Sequence, residues 1–305
     1  MKTEIKYIDT PLLRICYEES GRPDGLPVIL LHGFPYDVRA FDDARDLLAD
    51  GPYRLLAPYL RGYGDTQFLS GDTLRSGEQS ALAADLLDFM DALNIPRAIL
   101  AGFDWGGRAA CIVSALYPER VIGLVTCGVG YNMHDARTWQ QPIAPAAEER
   151  SWYVYYFNTE RGHQALLRNY PDLCRYLWQL WSPDWRFTEK TYLRSAASFA
   201  NPDFAAVVAH SYRCRIGEVP EDPHYAHIAR RLVDKPAISV PTWVLLGGSD
   251  GVTPAPAVDA DRARFTGPYV RRVLPHIGHD LPQEAPGALA QAIAEAASAE
   301  GSAHA

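Results

Sequence analysis

The chain has 305 residues, enough to form one large core or two smaller units, and its 48% hydrophobic and 22% charged residues are ordinary for a globular protein. Its formal net charge of −8 and the scatter of its basic residues disfavour nucleic acid and anionic membranes as partners. Five widely spaced cysteines without a C-x-x-C pair, and a first segment without an apolar signal stretch, predict a protein of the reducing cytoplasm.

Short apolar segments recur along the chain and predict strands. Residues 4–8 and 12–18 alternate in polarity, which is typical of a hairpin. Six apolar runs predict buried strands of a parallel sheet, namely 27–31, 54–57, 98–101, 121–126, 242–246 and 270–274. Helix-like stripes separate several of them, for example Leu82, Leu86, Leu87 and Met90. This alternation predicts the α/β class, with a mostly parallel central sheet flanked by helices.

The alternation stops in the middle of the chain. Residues 132–235 are rich in aromatic residues and helix-like, without short apolar strands. We therefore predict an inserted helical cap over 132–235, between a first part of the core at 1–131 and a second part at 236–305. The last residues, 296–305, are small and polar, so we expect them to fray.

The segment Gly102-Phe103-Asp104-Trp105-Gly106-Gly107 lies between a predicted strand and a predicted helix. Glycines stand two positions before Asp104 and two and three positions after it. A sharp strand-to-helix turn needs small residues at these places, because it lifts its central residue into a strained, exposed position. Such turns usually carry a serine nucleophile. A carboxylate here would instead attack carbon directly and form an alkyl-enzyme ester.

A nucleophile on such a turn needs an acid and a histidine, each following its own strand. Asp250 follows the strand at 242–246 on a glycine-rich turn, and His279 follows the strand at 270–274. Histidine titrates near neutrality and can deprotonate water, while a carboxylate fixes its tautomer. We predict that Asp104, Asp250 and His279 form the catalytic triad.

Two rivals remain for these roles. Asp135 follows the strand at 121–126, where some proteins of this architecture carry the acid, and His276 competes with His279 but is better explained as a loop residue. His224 and His227 have a spacing that metal ligands can have, but no third ligand accompanies them. We expect neither a metal nor a cofactor.

The segment His32-Gly33-Phe34-Pro35 directly follows the strand at 27–31. The glycine permits a tight turn that points the Phe34 amide at the active centre. Together with the Trp105 amide, it would form an oxyanion hole. The Phe34–Pro35 bond is a candidate cis peptide.

These motifs resemble those of the α/β-hydrolase superfamily, and within it the group of epoxide hydrolases and haloalkane dehalogenases. The resemblance rests on His32-Gly33-Phe34-Pro35, on Arg61-Gly62-Tyr63-Gly64-Asp65, on the turn around Asp104, and on Asp250 and Gly278-His279. It spans the core from about residue 26 onward. It implies an α/β-hydrolase fold with a helical cap and an aspartate nucleophile.

The same resemblance implies roles for two cap tyrosines. Epoxide hydrolases of this group carry an early pattern Tyr-x-x-Tyr-Phe-Gln, which residues 153–158 match with Asn in place of Gln, so Tyr153 is the carried-over position. Their late pattern is an aromatic residue followed by Tyr-Arg. The sequence matches it at Tyr212 but lacks the preceding aromatic. Tyr155 and Tyr156 are rivals for the early position.

Phenols favour epoxide chemistry, because an epoxide opens to an alkoxide that needs a proton, whereas a halide leaves without one. The resemblance thus implies hydrolysis of a small-molecule epoxide to a vicinal diol. A haloalkane or haloacid dehalogenase with the same triad and a non-catalytic ligand-binding protein are the alternatives. A homodimer is compatible with the sequence.

Some side chains near the predicted nucleophile are expected to line a substrate pocket. They are His32, Pro35, Trp105, Tyr156 and Trp178. The spacing of Trp178, Trp181 and Trp185 is roughly that of one helix face, which favours cap core or pocket wall over a halide-binding role.

Overall fold

The structure, a computed structural model, describes residues 3–303, and within them one sheet of nine strands. The strands are β1 (Glu4–Asp9), β2 (Leu13–Gly21), β3 (Leu26–Leu31), β4 (Tyr53–Pro58), β5 (Gln67–Phe68), β6 (Ala98–Phe103), β7 (Val121–Cys127), β8 (Thr242–Gly247) and β9 (Tyr269–Leu274). Their order across the sheet is β1-β2-β4-β3-β6-β7-β8-β9, with β5 paired to β2.

The sheet is mostly parallel. β1 and β2 form the predicted antiparallel hairpin, and β2 also pairs antiparallel with β4. From β4 to β9 every neighbouring pair is parallel. β3, β6, β7 and β8 lie in the interior of the sheet, which explains their continuous apolar sequences. All six predicted parallel strands are confirmed, and their carboxyl ends meet at one edge.

Helices cover the sheet and fill the segment between β7 and β8. They are α1 (Asp42–Leu47), α2 (Gln79–Ala92), α3 (Asp104–Leu116), α4 (Pro145–Arg150), α5 (Trp152–Tyr156), α6 (Glu160–Arg168), α7 (Tyr170–Trp181), α8 (Glu189–Ala196), α9 (Phe204–Ile216), α10 (Ala226–Leu232), α11 (Leu281–Glu284) and α12 (Pro286–Ala303). α3 packs against β3, β6 and β7, and α12 packs against β6, β7 and β8. In the described part of the chain, no strand lies between β7 and β8. The exact division into core and cap remains a prediction.

The C-terminal helix differs from the sequence expectation. We expected residues 296–305 to fray, but α12 continues to Ala303, so this expectation is wrong for the described part of that segment. Alanine has the highest helix propensity, and Ala296 is buried, so both propensity and packing support the helix.

The helices α5, α7 and α9 pack their aromatic side chains onto the carboxyl edge of the sheet. The rings of Tyr153, Trp178 and Tyr212 belong to the same buried cluster as Phe34 and Trp105 of the core. The predicted site therefore lies at the boundary between sheet and cap helices. Among residues 3–303, no helix combines the length and apolar character needed to cross a bilayer.

Candidate active site

The predicted nucleophile lies on a strained turn between β6 and α3. Asp104 is the first residue of α3 and has a φ of +50°, a left-handed conformation that side chains other than glycine seldom adopt. A Cβ on Gly106 would lie 2.2 Å from the Leu31 carbonyl oxygen, so only glycine allows α3 to approach β3 this closely. The Asn132 side chain, in the loop after β7, donates a hydrogen bond to the Asp104 carbonyl at 2.8 Å and holds the turn.

The Asp104 carboxylate is fixed by the loop after β3. The Phe34 amide donates to Asp104 Oδ1 at 2.8 Å, so this oxygen lies where an oxyanion would form. Gly33 makes the approach possible, because a Cβ there would lie 2.5 Å from the same oxygen. The Trp105 amide belongs to the first turn of α3, whose N–H groups have no acceptor within the helix. This supports its predicted role as the second donor. The Phe34–Pro35 bond is cis, in agreement with the sequence expectation.

His279 stands between two carboxylates. Its Nδ1 lies 2.9 Å from Asp250 Oδ2, and its Nε2 lies 3.6 Å from Asp104 Oδ2, an ion-pair contact longer than a hydrogen bond. The amides of Val252 and Thr253 donate to Asp250 Oδ1 at 2.7 and 2.9 Å. The acid is thereby oriented, and it accepts the Nδ1 proton of the imidazole, so that Nε2 faces Asp104. The three predicted triad residues are brought together.

The end of α7 holds both loops of the triad. The Trp181 carbonyl accepts hydrogen bonds from the amides of Gly251 and His279, each at 3.0 Å. A Cβ on Gly278 would lie 2.4 Å from the Ser182 Cα, so the need for glycine before the histidine arises from this contact. The sequence contains no local sign of it.

The charges of the triad depend on one another. Burial opposes the imidazolium, but the carboxylates of Asp250 and Asp104 outweigh it and raise the pKa of His279 to about 10. Burial also opposes ionisation of Asp104, yet the charges of His279 and Arg108 hold the pKa of this carboxyl below its ordinary value. Asp104 and His279 are therefore an ion pair at neutral pH.

Tyr153 of α5 and Tyr212 of α9 lie together beside the nucleophile. Their rings are 5.4 Å apart and edge to face, and Tyr212 also packs on Phe34 at 5.5 Å and on Trp105 at 5.9 Å. No residue within 3–303 accepts a hydrogen bond from either phenol. Burial raises the pKa of Tyr153 to about 12 and that of Tyr212 well above its ordinary value, although the charge of Arg215 opposes both shifts, so both are neutral donors at pH 7.

The rivals lie away from this centre. Tyr155 is 41% exposed and donates to Glu148, and the Tyr156 ring packs on Trp152 at 5.5 Å. Asp135 forms ion pairs with Arg137 and Lys235. The side chain of the second histidine rival, His276, is 88% exposed.

Of the side chains expected to line a pocket, His32 and Trp178 form hydrogen bonds within the protein. His32 is buried, accepts the Leu60 amide at Nε2 and donates from Nδ1 to the Gly33 carbonyl, so it ties β3 to the end of β4. Trp178 donates its indole N–H to the Pro35 carbonyl at 2.7 Å. The Trp105 indole N–H, in contrast, is buried without an acceptor among residues 3–303. Their roles in binding substrate remain predictions.

The three tryptophans do not share one helix face, because α7 ends at Trp181 and Trp185 lies beyond it, stacked on Trp178 at 5.7 Å. Trp181 alone of the three reaches the site. Its ring lies 4.9 Å from Tyr153 and 5.3 Å from His279. Within the described residues, no group of three or more His, Cys, Asp or Glu side chains could hold a metal ion.

Comparison with known proteins agrees with this fold. Residues 27–286 match the family described as alpha/beta hydrolase fold, so the chain belongs to that family. A candidate epoxide hydrolase of known structure from Klebsiella pneumoniae is 44% identical over 96% of this chain and 97% of its own, with a TM-score of 0.93.

Two curated relatives are more distant. Epoxide hydrolase A from Mycobacterium tuberculosis is 26% identical over 95% of this chain and 96% of its own length. The AB hydrolase superfamily protein YfhM from Bacillus subtilis is also 26% identical, over 75% of this chain and 79% of its own length.

Proposed function

We propose that this α/β hydrolase converts an epoxide to a vicinal diol through an ester on Asp104. The observation that carries the proposal is the pair of neutral phenols, Tyr153 and Tyr212, beside an ionised aspartate on the nucleophile turn. The relatives named as epoxide hydrolases support the same reaction.

In the first step, Asp104 Oδ2 attacks one epoxide carbon while Oδ1 stays on the Phe34 amide. A new carbon–oxygen bond forms, and the ring carbon–oxygen bond breaks. The ring oxygen then takes a proton from Tyr153 or Tyr212. Without this transfer, a charged alkoxide would remain in a buried site. The product of this step is a hydroxyalkyl ester of Asp104.

In the second step, water hydrolyses this ester. Ester formation removes the negative charge of Asp104, which is one of the two charges that keep His279 protonated. The pKa of His279 therefore falls, and its proton restores the tyrosine that opened the ring. The neutral imidazole then takes a proton from the attacking water and gives it to the departing diol oxygen. The oxyanion that forms on the Asp104 carbonyl is stabilised by the amides of Phe34 and Trp105.

Dehalogenation is the second candidate, and one observation favours it. The buried indole N–H of Trp105 has no acceptor among the described residues and could bind a departing halide. The indole of Trp178 cannot assist it while bonded to Pro35. Epoxide opening makes use of both phenols, which halide departure does not require.

A substrate panel tests the choice. Styrene oxide, an aliphatic epoxide and a chloroalkane are incubated with the enzyme, and diol and halide are measured. We expect diol and no halide. In a single turnover in ¹⁸O water, the label should enter Asp104 and not the diol, because the diol oxygen derives from the carboxylate. Halide release without diol, or first-turnover label in the diol, would contradict the proposal.

The location of the protein is also a proposal. All five cysteines are buried free thiols, which supports the predicted reducing cytoplasm.

A further inference from the structure

Arg108 lies one helical turn after Asp104 on α3 and is only 4% exposed. A buried guanidinium is normally paired and hydrogen bonded, since removing an uncompensated charge from water is costly. Arg61 follows this rule, with two hydrogen bonds of 2.6 Å to Asp85. Arg108 does not: within residues 3–303 its buried Nε has no acceptor, and no carboxylate forms an ion pair with it.

Arg108 lines a small cavity together with other unsatisfied groups. The cavity has a volume of about 60 Å³, room for more than one water molecule, and Arg215 and His134 also line it. Arg215 Nε and His134 Nε2 are likewise buried without a partner in the described chain. The Arg215 guanidinium lies over the Tyr212 ring, 4.7 Å from its centroid, so one wall of the cavity contacts a predicted proton donor.

The two arginines have no carboxylate partner of their own. The carboxylates of Asp104 and Asp250 flank protonated His279, and neither forms an ion pair with Arg108 or Arg215 in the described chain. Burial, and then the neighbouring Arg215, lower the pKa of Arg108 only to about 9, so Arg108 remains charged at pH 7.

Two acids, Glu78 and Glu221, also line the cavity, and Glu78 Oε2 is buried without a hydrogen-bond partner in the described chain. Burial raises the pKa of Glu78 to about 7, and Glu221 is exposed at the cavity rim. Neither forms an ion pair with Arg108 or Arg215 in the described chain. An anionic ligand would satisfy both the charge and the free donors, because a guanidinium pairs with a carboxylate through two parallel hydrogen bonds.

We propose that Arg108 and Arg215 bind a carboxylate of the substrate, which makes the preferred substrate an epoxy acid. Arg108 follows Asp104 by four residues, about one turn of α3, so a carboxylate bound to Arg108 would belong to the same substrate molecule as the attacked carbon if the two groups are close together in it. A glycidate, in which the carboxylate is attached to the ring, meets this requirement.

The ring-opening step rests on the proposed function, whereas the binding of the carboxylate does not. Asp104 forms a bond to the ring carbon that does not bear the substrate's carboxylate. The bond between that carbon and the ring oxygen breaks. The ring oxygen takes a tyrosine proton. Water then hydrolyses the ester to give a 2,3-dihydroxy acid, and the carboxylate is unchanged throughout.

A matched pair of substrates tests the assignment. 3-Phenylglycidate and 3-phenylglycidol differ only in whether a carboxylate or a hydroxymethyl group is attached to the ring. We expect the wild-type kcat/KM for the acid to exceed that for the alcohol by about tenfold or more. A hydrogen bond between two charged groups is stronger than one to a neutral hydroxyl by an amount that corresponds to about that factor. Arg108→Met should abolish the preference through a higher KM for the acid, and Arg108→Lys should retain part of it.

Arg213→Met is the control, because Arg213 lies on α9 together with Arg215 but does not line the cavity. It should leave the acid preference unchanged. If Arg108 only supports the charge of Asp104, Arg108→Met will slow acid and alcohol by the same factor. That result, or a wild type without acid preference, would overturn the proposal.

Calorimetry with an inert pair separates this inference from the reaction. 3-Phenylpropionate should bind the wild type at least about tenfold more tightly than 3-phenylpropanol, and Arg108→Met should remove the difference. If the acid binds in this way while neither epoxide reacts, the carboxylate site stands and the epoxide proposal fails. Equal binding of acid and alcohol, or binding of neither, would overturn the carboxylate site.

Discussion

The two sides of the site are held by different forces. On the core side, the backbone fixes the reacting groups: the Phe34 amide binds Asp104, and two backbone amides bind Asp250. On the cap side, Tyr153 and Tyr212 are held by ring packing, and their hydroxyls have no acceptor within residues 3–303. Hydrogen bonds to the backbone are directional, whereas aromatic packing tolerates shifts. We infer that the core side determines the reaction step and the cap side determines which leaving group is assisted.

The largest expected effect is the loss of the nucleophile. Asp104→Ala should lower turnover by at least about 10⁴-fold, because removing a covalent nucleophile leaves only binding and electrostatic contributions. The measurement is diol formation under saturating substrate. Asp135→Asn is the control, since its ion pairs lie away from the centre, and it should stay within a few-fold of wild type. A loss in the control as large as in Asp104→Ala would return Asp135 to consideration.

The next prediction separates the two steps of the reaction. His279→Gln should still form the ester but should not hydrolyse it, because only the activation of water needs the imidazole. Intact-mass spectrometry should then show the protein plus one substrate. His276→Gln, a change in a largely exposed side chain, should turn over normally. No adduct with a substrate that the wild type converts would show that His279 acts earlier.

The third prediction concerns the cap side. A double variant with Tyr153→Phe and Tyr212→Phe keeps the ring packing but removes both proton donors, and its alkylation rate should fall by about 10²–10⁴-fold. Each single variant should lose less, because one phenol remains. Tyr155→Phe is the control, since this hydroxyl donates to Glu148 away from the site. Unchanged epoxide turnover in the double variant would instead favour the dehalogenase.

The parts of the site that sequence could predict are those with local causes. The glycines around Asp104 stand where an added Cβ would lie too close to neighbouring backbone, and all of them lie within three residues of the nucleophile. Their spacing alone therefore indicates the turn. Asp250 and His279 follow strands whose apolar sequences predict them directly, and parallel strands bring their carboxyl ends together. Tyr153 and Tyr212 were assigned by resemblance alone, because their positions depend on how the cap helices pack.

Other features depend on contacts that no local pattern encodes. The Trp181 carbonyl reaches residues 70 and 98 positions further along the chain, and Ser182 makes Gly278 necessary. Arg108 stands on a helix whose sequence gives no sign that its guanidinium lacks a partner. An absence of pairing can be recognised only when all neighbours of the side chain are known.

A smaller effect is expected where the core side is tightest. A Cβ on Gly33 would lie 2.4 Å from the Asp104 Cβ, so Gly33→Ala must displace the nucleophile or its loop. Because displacements of about 1 Å can reduce rates about 10²-fold, kcat should fall by that order. Gly71→Ala is the matched control, since nothing lies within 4 Å of its added Cβ. Full activity of Gly33→Ala would mean that the loop after β3 holds Asp104 less rigidly than ring packing holds the cap tyrosines.

The smallest expected change is a shift in one pKa, measured by NMR titration of the His279 imidazole. In the wild type the carboxylates of Asp250 and Asp104 raise this pKa to about 10 against the effect of burial. Asp104→Ala removes one stabilising charge from the protonated form, so the pKa should fall by about 1–3 units. The ester intermediate lacks the same charge, so its hydrolysis should speed up as pH rises through this lowered pKa, where His279 loses its proton. Asp135→Asn should leave the pKa unchanged, because its ion-pair partners are Arg137 and Lys235. If Asp104→Ala also leaves it unchanged, the charge of Asp250 alone keeps the imidazole protonated, and alkylation cannot be what activates the base.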